Sequence, residues 1–85
     1  MRLGFGAVLH ACRERAGMSQ EKLAEMLHRS RSCISKFEQE HKLPDINTFL
    51  IWLDKTNARD VGFALMSGTD PATILQTILQ ISGVA

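Results

Sequence analysis

Ser19-Gln20-Glu21-Lys22-Leu23-Ala24-Glu25-Met26-Leu27-His28-Arg29-Ser30-Arg31-Ser32-Cys33-Ile34-Ser35-Lys36-Phe37-Glu38 is the stretch that decides the fold. Ser19 is a good N-cap, because its hydroxyl can accept from a free backbone N–H in the first turn. Glu21 in that turn suits the positive end of the helix dipole. Leu23, Ala24 and Leu27 then share one helical face. His28-Arg29-Ser30 breaks the pattern, and Ser30 can cap a second helix in which Ile34 and Phe37 share a face. Two short helices separated by about three residues must cross closely, so one residue at the crossing has to be small. Ala24 takes that place, and Leu23, Leu27, Ile34 and Phe37 form the apolar wedge that sets the angle. The outer face of the second helix is hydrophilic, with Arg31, Ser32, Ser35 and Lys36.

The rest of the chain is helical in its spacing, with no convincing alternating strand. Segment 3–16 carries Leu3, Val8, Leu9 and Cys12 on a stripe and stops at Gly17. Pro44 ends the loop after residue 38, and Asp45 caps a helix over 46–55. Asn57 and Asp60 resemble a capping box, with Asp in place of the usual Glu, opening a short helix to about Met66. Asp70-Pro71 reads as an N-cap followed by proline in the first helical position, and the last helix runs to about Ser82.

Composition bounds the function. A chain of 85 residues makes one small domain with room for four to six helices. Residues 1–56 are expected to form the core, and residues 57–85 to complete the same domain. No run approaches the roughly 18 apolar residues of a membrane span. The first residues lack a signal-peptide core, so a cytoplasmic protein without a membrane partner is expected. Cys12 and Cys33 are read as reduced thiols, and His10, His28 and His41 are scattered, so neither a metal nor a cofactor is expected. No nucleophile elbow, phosphate loop or paired carboxylates point to an enzyme, and no catalytic residue is assigned. Net charge is only +1, but it is uneven. Residues 1–43 hold eight basic against five acidic side chains, and residues 44–85 two against four. A basic first half suits a polyanionic partner.

The runs Arg13 to Leu27 and Ser30 to Glu38, with Leu43-Pro44 beyond, resemble the Cro and lambda-repressor-like (Xre) family of helix-turn-helix DNA-binding domains. The joint spacing of Ser19-Gln20, Leu23-Ala24, Ile34-Ser35, Glu38 and Pro44 carries the resemblance, which covers residues 5–55. It implies an all-α bundle of five to six helices whose third helix lies in the major groove of double-stranded DNA. By position, it implies that Arg31, Ser32, Ser35 and Lys36 read base edges. A guanidinium such as that of Arg31 can pair bidentately with guanine. Gln20 corresponds to a phosphate contact at the start of the second helix, and Arg29 and Lys42 flank the unit as phosphate candidates. Arg13 and Glu38 match an internal salt bridge between helices 1 and 3. The short members it resembles are phage Cro-like regulators and restriction-modification controllers, which implies a prokaryotic or phage-encoded transcription repressor.

Three positions depart from that pattern. His28 stands where the turn usually has glycine, Arg29 replaces a small apolar residue, and Glu40 replaces the glycine after helix 3, putting a negative charge near the expected DNA backbone. The last helix is unusual in another way. Ile74, Leu75, Ile78, Leu79 and Ile81 make a wide apolar stripe, and no charge follows Asp70. Such a helix either closes the protein's own core or meets a partner. The second reading makes it a homodimer interface, fitting two copies about 34 Å apart on a palindromic operator. An alternative function follows from the same helix: a protein-interaction module of antitoxin or antirepressor type that captures a partner there.

Overall fold

A computed structural model describes residues 4–82, with side chains described from 4 to 78. Six helices follow in order: α1 (Phe5–Arg15), α2 (Gln20–Leu27), α3 (Arg31–Glu38), α4 (Ile46–Lys55), α5 (Arg59–Met66) and α6 (Pro71–Ser82). Among the described residues all regular structure is helical, and no helix is long and apolar enough to cross a membrane. The expected all-α architecture is the one observed.

Local chemistry starts three helices as the sequence predicts. Ser19 Oγ accepts from the Lys22 N–H at 3.0 Å, and Ser30 Oγ from the Cys33 N–H at 3.1 Å. Asp70 accepts from the Thr73 hydroxyl at 2.6 Å and its N–H at 3.4 Å, ahead of Pro71. Asp45 precedes α4, but its carboxylate takes the Thr48 hydroxyl instead of a backbone N–H.

Five helices end the same way, through a residue in the left-handed region. The residues are Gly17, His28, Glu40, Asn57 and Gly68, with φ between 55° and 92°. At each, the next residue's N–H reaches five positions back, as in Met18 to Arg13 O and Arg29 to Ala24 O. Asn57 corrects the capping-box expectation. It closes α4, with the Ala58 N–H on Leu53 O at 2.7 Å, and Ala58 precedes α5 without a side-chain cap. Asp60 pairs instead with Arg15 of α1, at 3.1 Å.

Two apolar clusters share α1 and α4 as a common wall. Leu9, Leu23, Ala24, Ile34, Phe37 and Trp52 form the first, with Leu27 packed against it. The wedge read from the sequence is therefore the core of the α2–α3 pair, with Ala24 buried at the crossing. Trp52 is fully buried; its indole N–H donates to Leu9 O at 3.1 Å and its ring meets Phe37 edge-on at 6.3 Å. Each such side chain contributes about 1.5–3 kcal/mol by leaving water. The second cluster joins Val8, Ala11 and Cys12 of α1 to Leu53, Ala58, Val61, Ile74 and Ile78.

This second cluster revises the expected partner surface on α6. Ile74 and Ile78 are buried in the protein's own core and Leu75 packs against it, so α6 uses this stripe to cover α1. A buried side chain has no area left to give a partner. The side chains of Leu79 and Ile81, assigned to the same surface, lie outside the described residues.

Candidate nucleic-acid interface

With Ile34 and Phe37 buried, helical geometry turns the opposite side of α3 outward. Arg31, Ser32 and Lys36 are exposed there and Ser35 is half-buried. The structure thus brings the four residues predicted for base contact onto one helix face. The side chains of Ser32 and Lys36 have no hydrogen-bond or ion-pair partner among the described residues. Arg31 has one: its Nε lies 3.2 Å from Glu21 Oε2, across the gap between the first turns of α3 and α2.

Beneath this face, Glu38 gathers four hydrogen bonds from three side chains. Arg13 Nε donates to Oε2 at 2.6 Å and Arg13 Nη2 to Oε1 at 3.1 Å, a forked pair between the two residues that the resemblance matches to an internal salt bridge. His10 Nδ1 lies 2.8 Å from Oε1, and Gln20 Nε2 donates to the same oxygen at 3.1 Å. Arg13 also reaches Met18 O at 2.8 Å, so both charges are buried but fully engaged. Burial pushes the Glu38 carboxyl up, but the bonds from Arg13, His10 and Gln20 outweigh it and hold the group below its usual range. Gln20, predicted as a phosphate contact, is thereby held by one amide hydrogen with the other left over. It sits at the start of α2, where the Ser19 cap satisfies only the Lys22 N–H.

The flanking cations are less free than expected. Arg29 is held in place. Its Nη2 donates to Thr48 Oγ1 at 2.9 Å and lies 3.5 Å from Asp45 Oδ1, tying the turn to the start of α4. Its remaining guanidinium donors stay available. Lys42 lies with Nζ 5.7 Å from the Phe37 ring centroid and 4.0 Å from Cys33 Sγ, against the end of the pair.

Glu40 resolves differently from its sequence reading. A Cβ built on Gly4 would stand 2.9 Å from Glu40 Oε2, and one on Gly6 would stand 2.6 Å from Glu40 Cγ and 2.4 Å from Glu38 O. The Glu40 side chain therefore lies across the start of α1, whose first turn has no acidic residue of its own. The positive end of that helix offsets its charge.

Sequence reasoning missed Glu21 and the Asp45–Thr48 pair as partners of the cations. Glu21 had a usable signal: both it and Arg31 belong to first turns, which a tight helix pair sets side by side. Arg29 and Thr48 had none, because 19 residues separate them.

Comparison with known proteins agrees with this geometry. A family model described as a helix-turn-helix domain matches residues 5–50, more than half of the chain. No curated protein and no solved structure shows a significant match.

Proposed function

Because the chain belongs to the helix-turn-helix domain family of Cro/Xre type, we propose that it is a transcription regulator, a repressor, that binds double-stranded DNA sequence-specifically with α3 in the major groove. Arg31, Ser32, Ser35 and Lys36 face base edges, and Arg31 makes the bidentate contact with guanine. Gln20, Arg29 and Lys42 hold phosphates, aided by the free N–H groups at the start of α2. Two copies act together on a palindromic operator, and occupancy of a promoter excludes polymerase without catalysis. The observation that carries this reading is the face of α3: two cations and two hydroxyls turned outward on a helix whose inner residues Ile34 and Phe37 are buried.

The test is selection of DNA from a random pool, followed by titration of the selected site at several salt concentrations. A palindrome is expected, with log K falling against log salt by about 0.9 for each phosphate neutralised. Arg31→Ala and Lys36→Ala should each lose about 1–3 kcal/mol of discrimination if they read bases. Selective binding that survives both substitutions unchanged would sink the assignment of this face.

A further inference from the structure

We infer that Glu21 is a specificity-determining residue: it holds Arg31 at the start of α3, so that this guanidinium reads one base pair instead of gripping a phosphate. The inference rests on the DNA-reading role of α3 proposed above and names what directs its leading cation. Gln20 and Glu21 are neighbours in the first turn of α2, but they serve different elements. Gln20 Nε2 turns inward to Glu38 Oε1 at 3.1 Å, whereas Glu21 Oε2 lies 3.2 Å from Arg31 Nε. Glu25, the next acid of α2, is taken by Lys22 at 3.6 Å. Among the described residues Arg31 is the one ion-pair partner of Glu21, and Glu21 the one partner of Arg31.

Arg31 needs such a partner. It is the first residue of α3, where the helix dipole is positive and repels a cation. The first turn of α3 has no acidic residue to offset this, so the carboxylate comes from α2. A long side chain on an exposed helix face can otherwise turn to any acceptor, and phosphate and sugar oxygens take more than half of protein–DNA hydrogen bonds. Contact at Nε leaves both terminal nitrogens of Arg31 available, the fork that pairs with guanine O6 and N7. Glu21 also carries a charge that the DNA backbone repels, so it lowers affinity for every sequence while it directs Arg31 to one base. In free solution the two side chains are 69% and 60% exposed and the pair is weak. Docking on DNA excludes water from it and strengthens it.

Fluorescence anisotropy on the selected site, and on duplexes changed at one base pair at a time, tests the inference with wild type, Glu21→Gln, Arg31→Ala and the double variant. The pair is exposed, so all four proteins should melt alike. Glu21→Gln should lose about tenfold in discrimination at the same base pair as Arg31→Ala, and keep it at the others. Its plot of log K against log salt should steepen by about 0.9, because the released Arg31 takes a phosphate. In the double variant the two losses should not add. Full discrimination at that base pair in Glu21→Gln overturns the inference and leaves DNA reading by α3 intact. An equal loss at every base pair also overturns it, since a residue that only shapes the helix pair acts on all positions. A wild type without any preferred sequence overturns the proposed function, and this inference with it.

Discussion

Replacing Glu38 with glutamine should remove a substantial part of the stability of the protein, although the two side chains have nearly the same shape. Arg13 and Glu38 both lie almost entirely out of water. Glu38→Gln leaves the Arg13 cation buried and unmatched, and sets an amide –NH2 among donors from Arg13, His10 and Gln20. Breaking one side of such a pair costs about 3–5 kcal/mol. A domain of this length holds about 4–13 kcal/mol in total, and each kilocalorie moves Tm by about 4–8 °C. The expected fall is therefore at least about 12 °C. Removing both charges is a different perturbation. Arg13→Met with Glu38→Leu leaves no buried charge, so the double variant should recover most of what the single one loses. Urea melts followed by circular dichroism would measure all three proteins. A loss below about 1 kcal/mol in Glu38→Gln would refute the claim that this pair is buried and mutually dependent.

The same substitution has a pH signature. The folded-state pKa of Glu38 is depressed, since its hydrogen bonds outweigh burial. Its contribution is therefore fully present above the unfolded value of about 4.3 and is lost as pH falls through the lower folded value. Wild type should lose stability through that acid range, and Glu38→Gln should show a shallower dependence there. Parallel acid profiles in the two proteins would place the titration elsewhere.

Three further perturbations probe other parts of the argument. His28→Gly should raise Tm by about 4–8 °C, since a left-handed residue with a Cβ carries roughly 1 kcal/mol of strain; a lower Tm would mean that the imidazole itself holds the turn. Gly6→Ala should cost about 1–3 kcal/mol, because the new methyl would meet the Glu38 carbonyl at the end of α3; an unchanged thermal melt would deny that close approach. Glu21→Gln releases Arg31 and removes a negative charge from the proposed DNA side. Anisotropy titrations should show tighter binding to all sequences and a smaller ratio between specific and random DNA, and equal gains on both would show that Glu21 does not orient Arg31.

The framework was legible in the sequence because it depends on local chemistry. Ser19, Ser30 and Asp70 start helices through groups within three residues, and Leu23, Ala24, Ile34 and Phe37 reveal their face by period alone. Asn57 was misread because asparagine serves equally before a helix and in a left-handed position after one. Only the placement of Ala58 over Leu53 O decides between the two. The stripe on α6 was ambiguous for a deeper reason. Apolar periodicity shows that a face is covered, not what covers it, and here α1 does so for Ile74 and Ile78. Conversely, the exposed residues of α4 and α5 attracted no notice, because Phe63 and Met66 look like core in a sequence.

The long cations were the least legible part, and that follows from how α3 is held. Its start is fixed by the Ser30 cap, its inner face by Ile34 and Phe37, and its end by Glu38 and the left-handed Glu40. None of these restraints uses the side chain of Arg31, Ser32 or Lys36, so the helix axis does not depend on what those positions carry. Their side chains settle against whatever charge is near, as Arg31 does on Glu21. An exposed pair of that kind is worth little to stability, so it can open without disturbing the core. A rigid helix with replaceable outer residues can change which base pairs it recognises without changing its fold. The proposed selectivity therefore resides in a few exposed side chains, while the affinity they can express depends on the buried chain from Arg13 through Glu38 to Gln20.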